Sequence, residues 1–427
     1  MPTASTKRGA KRGRAARREE TRRAGAPAKG ATADERPEPR GGEIPERAWR
    51  AGFVAVVAVA ALLRFVYLEL NPLHHDEGVN GWFLTRLVRD GVYAYDPQNY
   101  HGPTLYFITL VPAFLFEKIL RVGMSVFMLR AVTSLFGVGI VWMVLSLRRR
   151  VGAVGALAAG ALLAVSPGAV YQSRYFIHET LFVFFTLGIV LAALRFYETA
   201  EGKYLLLAFV SAALLFATKE TAFISVGVLA LAWGVAWAWG RVPRRINWQR
   251  YAGSWRDESG ADFPTTVAEA PRSDSLRGAS ERFGGAEKFG ILLLTGAALF
   301  VALNVVFYSS FFTNWKGVYG AIETYKFWSK TGMKEVAHAK PLDTYLGWLQ
   351  QEEAPIYVLA ILGAAWAVLR ARSRFAVFAG AWGFGLLAAY SLVKYKTPWL
   401  SLNFAVPMAV VAGYAVNEAY RWARGRR

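Results

Sequence analysis

"MLRAVTSLFGVGIVWMVLSLRRRVG", residues 128–152, is an apolar stretch that stops at three consecutive arginines. The whole run, 126–147, is long enough at 1.5 Å per helical residue to cross a hydrocarbon core about 30 Å thick. It lacks the polar alternation of a barrel strand. A membrane-spanning helix with its basic end at the cytoplasmic surface is the expected structure.

Runs of the same character recur on both sides, at 51–70, 103–120, 151–171, 180–198, 203–218, 222–240, 288–308, 354–370, 374–393 and 398–420. Of the 427 residues 54% are hydrophobic and 15% aromatic, so the fold class is all-α, a polytopic transmembrane helical protein. Polar stretches at 241–287 and 309–353 read as loops.

Charge decides which runs cross. If all eleven span and the basic N-terminus is inside, "LRRRVG" (147–152), the basic start of the 241–287 loop, "RARSR" (370–374) and "RWARGRR" (421–427) all fall outside. If 103–120, "PTLYFITLVPAFLFEKIL", lies in the outer leaflet without crossing, every one of those clusters moves inside, as positive-inside bias requires. Pro103, Pro112, Glu117 and Lys118 suit a surface helix. The expectation is about ten spans plus outer-face juxtamembrane helices in a first outer loop, 71–125. The 241–287 loop is then cytoplasmic, 309–353 is a second outer loop, and both termini of this multi-pass cell-membrane protein are cytoplasmic.

Residues 1–48 are rich in Arg, Ala, Gly and Pro and are expected to form a disordered cytoplasmic tail beside lipid headgroups. The tail does not read as a cleavable signal peptide. The membrane domain is 49–427. A net charge of +20 raises nucleic acid as a partner, but its clustering in tail and short loops, with no nucleic-acid-binding module, points to membrane lipids instead. Cysteine is absent, which excludes disulfides and thiolate metal sites.

The ten-span arrangement puts all five histidines on the outer face. There "NPLHHDEGVNGWF" (71–83) follows the first span, and the spacing of Val79, Trp82, Phe83, Leu87 and Val88 predicts an amphipathic surface helix. Asp76 and Glu77 sit at its N-terminal end, where the helix dipole favours an ionised carboxylate able to act as a general base or metal ligand. "NYHGPTLYF" (99–107) adds His101, a phosphate ligand or an orienter of an acid. "SRYFIHETLFVFF" (173–185) opens another span with Arg174, His178 and Glu179, the first two spaced to share a helix face. "ATKETAF" (217–223) places Lys219 beside Glu220 between two spans. "HAKPLDTYL" (338–346) and "VKYKTPWLSLN" (393–403) bring His338, Lys340, Lys394 and Lys396. Each element has a plainer explanation as a helix cap, turn, local ion pair or headgroup contact. Together, a carboxylate pair, a further acid and a ring of cations beside apolar walls suit a lipid phosphate and an acceptor hydroxyl.

With those motifs in this order, the chain resembles the membrane-embedded glycosyltransferases of the GT-C type that use polyprenyl-phosphate sugars, among them protein O-mannosyltransferases and lipid A aminoarabinose transferases. The resemblance runs over about residues 50 to 403 and is strongest before 225. "HHDEGVN", "YHGPTLY" and "YKTPWLSLN" are similar to a subfamily named for association with lipid-linked-sugar flippase activity. The resemblance implies an outward-facing active site with Asp76 as general base, Glu77 as its acidic neighbour, and Arg174 as a phosphate or structural contact. Two positions depart from the pattern: Glu179 stands where aspartate is usual, and Gly102 where a proline follows the histidine. This sequence carries no long soluble C-terminal domain, so acceptor choice is expected to come from the two loops or a partner.

The leading function is transfer of a sugar from a polyprenyl-phosphate donor to a hydroxyl on a protein, glycan or lipid acceptor at the outer face. The alternative is a flippase or accessory protein for lipid-linked sugars that binds the headgroup without breaking bonds. A third reading is metal-dependent, with His74, His75, Asp76 and Glu179 as ligands to a divalent cation such as zinc or manganese. No other cofactor is implied.

Overall fold

The computed structural model describes residues 44–98, 101–241, 283–334, 339–370 and 373–424. Most of the basic tail, the body of the 241–287 loop and His338 therefore lie outside the described residues.

The described chain is helical, with one isolated antiparallel bridge between Ala339 and Tyr395. Its first half contains α1 (Glu46–Phe65), α2 (His75–Asp90), α3 (Thr104–Phe114), α4 (Val126–Leu145), a single turn α5 (Arg148–Val151), α6 (Ala153–Val165), α7 (Pro167–Ser173), α8 (Glu179–Thr199), α9 (Gly202–Phe216) and α10 (Ala222–Trp239). The second half contains α11 (Ala286–Tyr308), α12 (Lys316–Lys334), α13 (Thr344–Glu352), α14 (Ala354–Arg370), α15 (Arg374–Leu392) and, after a 3-10 turn at Pro398–Leu400, α16 (Ser401–Arg424).

Among the described residues seven helices are long and apolar enough to cross a membrane: α1, α4, α8, α10, α11, α15 and α16 with its 3-10 turn. One expected span is bent, and another begins at a bend with a helix outside the expected run. The run 151–171 breaks between α6 and α7, whose axes differ by 63°. Pro167 cannot continue the helix, and the Ser166 hydroxyl starts a new one by accepting the Ala169 N–H at 2.9 Å. Likewise α13 meets α14 at 109°, so part of the 309–353 stretch read as loop is helix, as is α12. Counting each bent pair as one span gives up to nine, and α9, at 15 residues, is a shorter apolar helix. The run 103–120 is not among the crossing helices: α3 has 11 residues, about 17 Å of helix, and passes into a π turn at Leu115–Ile119.

The C-terminal helix is the centre of the bundle. Of its apolar window 83% is buried, against 11% for α11, which lies at the periphery. Close packing there depends on small residues. A Cβ on Gly413 would stand 2.2 Å from the Gly155 carbonyl oxygen, so α6 and α16 meet backbone to backbone. Arg64, 1% exposed in α1, satisfies the C-terminal carbonyls of α6 by donating to Leu163 O at 3.0 Å and Ala164 O at 3.2 Å.

A second, aromatic core lies under α2 and α3, built from Phe83, Tyr93, Tyr106, Phe107, Phe176 and Tyr308 with aliphatic neighbours. The expected amphipathic helix forms, but Phe83, Leu84 and Leu87 are its buried face while Trp82 is 51% exposed. Asn80 fastens this layer: its amide donates to Phe176 O at 2.9 Å, and its Oδ1 accepts from the Tyr106 hydroxyl at 2.8 Å.

Candidate active site

The site grows from the first turn of α2. His74 is the N-cap; its backbone N–H donates to Glu77 Oε2 at 3.0 Å, and its Nδ1 accepts the Asp76 N–H at 3.4 Å. Glu77 is fully buried and accepts from three further groups. Arg130 donates through Nε at 2.8 Å and a terminal nitrogen at 2.7 Å, and the Phe176 N–H donates at 2.9 Å. Burial alone would raise the pKa of this carboxyl, but Arg130 and the two backbone donors outweigh it and hold Glu77 below the ordinary value.

Arg130 uses all five of its N–H donors. Beyond Glu77 it donates to Leu68 O and Asn71 O at 2.9 Å each and to Pro72 O at 3.0 Å. One buried ion pair therefore holds the chain between α1 and α2, the α2 N-terminus and the 174–178 connection together. Glu77 was expected as a partner in chemistry; with both oxygens occupied and no exposure, it holds the geometry instead.

Asp76 is in the opposite situation. It is half-buried at the second position of α2, and among the described residues its side chain makes no hydrogen bond and no ion pair. Its charge is felt by Tyr175, whose hydroxyl is pushed well up by burial and then by Asp76, Tyr171, Glu77 and Glu179. The Tyr175 ring also meets His74 at 5.2 Å and Trp399 at 6.3 Å between centroids, joining the α2 N-terminus to the 393–400 loop.

A second buried network lies behind the first. Glu179, at the start of α8, accepts a short hydrogen bond from Lys219, and the two form an ion pair 2% and 5% exposed. Glu220 instead pairs with His101, Nδ1 to Oε1 at 2.8 Å. Lys219 and Glu220, read as neighbours in one turn, reach back to different partners. Burial opposes both charges, yet Glu179 and Glu220 hold Lys219 above its ordinary pKa, and His101 with Lys219 holds Glu220 below. His178 donates through Nε2 to Gly102 O at 3.1 Å and stands edge-on to His101 at 5.3 Å. Burial, then the His101 and Lys219 charges, keeps it neutral.

Gly102 is where this network forbids a side chain. Its N–H donates to Thr218 O at 3.0 Å, and a Cβ would lie 2.1 Å from Ala217 O. A proline here would lose that donor and clash, so the packing around residue 102 requires glycine.

The other expected residues divide. Arg174 and His178 do not share a helix face, because the chain is non-helical between α7 and α8. Arg174 donates to Leu63 O at 2.9 Å and Tyr67 O at 2.7 Å, closing the end of α1, so of its two expected roles the structural one is occupied. Lys396 is buried, its ammonium held by Val393 O at 2.6 Å and Lys340 O at 3.2 Å. Lys340 lies 4.7 Å from the Trp348 ring, and its backbone N–H pairs with Lys394 O. Lys394 is exposed, with no side-chain partner among the described residues. Among those residues no three His, Asp or Glu side chains are grouped to hold a metal ion, so His74, His75, Asp76 and Glu179 do not form a ligand set.

Arg130, Asn80, Tyr106 and Tyr175 were not singled out from sequence. Arg130 left one legible signal, a lone charge inside an apolar run, where ionisable residues are costly. The others look like ordinary core residues until their partners are known.

Residues 102–248 match the family model described as dolichyl-phosphate-mannose-protein mannosyltransferase, which is less than half of the chain. No curated protein matches the sequence. Among solved structures, ArnT from Cupriavidus metallidurans bound to undecaprenyl phosphate superposes with a TM-score of 0.56 at 16% identity, covering 87% of this chain and 60% of that one. The chain has the GT-C fold. The oligosaccharyltransferase AglB of Archaeoglobus fulgidus, in complex with an inhibitory peptide and a dolichol-phosphate, gives 0.54 at 15% identity, covering 86% of this chain and 50% of its own. This GT-C chain therefore spans little more than half the length of the structures it matches.

Proposed function

We propose that this GT-C protein is a glycosyltransferase that moves a sugar from a polyprenyl-phosphate donor to a hydroxyl of a protein, glycan or lipid. The site faces the side of the membrane opposite the basic loops. The observation that carries the reading is Asp76: a half-buried carboxylate with no partner among the described residues, held beside a fully satisfied Glu77–Arg130 pair. The fold and the mannosyltransferase family match support it.

In the proposed reaction the acceptor hydroxyl gives its proton to Asp76. Its oxygen attacks the anomeric carbon, and the bond from that carbon to the phosphate oxygen breaks. Polyprenyl phosphate leaves with the bonding electrons. A single displacement inverts the anomeric configuration. Lys394 and Lys340, side by side on paired segments, are the exposed cations available to a departing phosphate. Glu77, Arg130, His101, Glu179, Lys219 and Glu220 position the loops around that space.

The test is incubation of the purified protein, in lipid, with several polyprenyl-phosphate sugars and an extract of acceptors. Release of free polyprenyl phosphate and an inverted linkage in the product are expected. Donor that binds and is recovered intact would contradict transfer and favour a transport or accessory role.

A further inference from the structure

We infer that the arginines at the far end of α4 and α8 form a binding site for the phosphate headgroup of an anionic phospholipid. This goes beyond the transferase reading and does not depend on it. Helices α4 and α8 both start at the candidate active site, where Arg130 and Glu179 lie, and run for 20 and 21 residues. At 1.5 Å per residue their other ends are about 30 Å away, one hydrocarbon thickness, in the opposite leaflet. Between those ends is a shallow, open surface depression lined by Arg149, Arg150, Arg195, Glu198, Leu191 and Leu194 among others. Three cations face one anion. Glu198 is divided between Arg150 at 2.7 Å and Arg195 at 3.2 Å. Arg149 is exposed without a side-chain partner among the described residues. Arg150 Nε is buried with no acceptor among them. A donor in that state is costly unless an acceptor arrives. Arginine at a helix C-terminus often serves the last carbonyls, but among the described residues none of these three guanidinium groups donates to one. Leu191 and Leu194 give the depression an apolar wall, and Trp142, 54% exposed, stands on α4 before it. A phosphate with acyl chains fits cations above and apolar surface below, as in basic pockets between membrane helices.

The test uses the full chain in detergent with an equal mixture of phosphatidylglycerol and phosphatidylcholine, bound lipid being counted by native mass spectrometry. Phosphatidylglycerol is expected to be retained preferentially. The double variant Arg149→Gln, Arg195→Gln should weaken its binding by about 25-fold, roughly fivefold per charge. Glu198→Gln should tighten it by about fivefold, a gain that misfolding cannot produce. Millimolar inorganic phosphate should leave the lipid bound. Equal retention of both lipids, or unchanged affinity in the double variant, would overturn the site. Displacement by inorganic phosphate would overturn the lipid assignment in favour of a free-anion site.

Discussion

Asp76 and Glu77 are neighbours in sequence and opposites in structure. Successive helical residues point about 100° apart, so one carboxylate enters the core while the other stays at the surface. The sequence shows two acids at a helix start, and their pairing as a unit follows from adjacency alone. What separates them is Arg130, whose partnership with Glu77 spans 53 positions and leaves no local trace. Because the folded Glu77 has a depressed pKa, the stability it contributes is present above about pH 4.5 and lost as pH falls through the lower folded value. Thermal melts across pH 3 to 7 should show wild type losing stability below about pH 4.5, with a smaller acid loss in Glu77→Gln. Equal acid sensitivity in both would contradict the pairing. At Gly102 the expectation is steric: Gly102→Ala should lower the yield of folded protein, and Gly102→Pro should lower it further through loss of the N–H to Thr218 O. Size-exclusion profiles of the two variants check this.

At the scale of elements, apolar runs predict helices well because a bilayer demands satisfied backbone groups. Breaks within a run are harder to read. Ser166-Pro167 carried a visible signal, yet the bend of α6 against α7 is completed by Glu353, whose carboxylate accepts from Ser166 Oγ and, at 3.0 Å, from the Gly168 N–H. That partner is 187 positions away and itself sits at the α13–α14 bend. One buried acid thus links both bent pairs. Glu353→Ala strands a hydroxyl and a backbone donor and should cost about 1–3 kcal/mol. A chemical or thermal unfolding midpoint indistinguishable from wild type would sink that role. The α9–α10 turn was legible as a charged turn, but its cross-pairing was not, since Glu179 and His101 lie 40 and 119 positions upstream of their partners.

For the whole molecule, the expected topology rests on charge placement. Placing 103–120 outside the set of crossing helices came from counting basic clusters, and α3 does form as a short helix packed under α2. The same reasoning puts the candidate site and the arginine-lined depression on opposite sides of the membrane. A chain without cysteine makes this easy to check. With single cysteines and a membrane-impermeant maleimide, His75→Cys should label in intact cells and Arg149→Cys only after permeabilisation. The reverse pattern would invert the protein in the bilayer. The proposed locations of catalysis and lipid binding depend on that orientation, whereas the contacts around Glu77 do not.

The most direct test of the central claim compares polyprenyl-phosphate release by wild type, Asp76→Asn and Glu77→Gln in the same reconstituted membranes, with melting temperatures measured alongside. Asp76→Asn should keep the wild-type melting temperature and lose about 10²- to 10⁴-fold in turnover. Glu77→Gln should lose about 3–5 kcal/mol of stability, because Arg130 is left buried without its counter-charge. An Asp76→Asn protein that releases polyprenyl phosphate at the wild-type rate would contradict the assignment of Asp76 as the base.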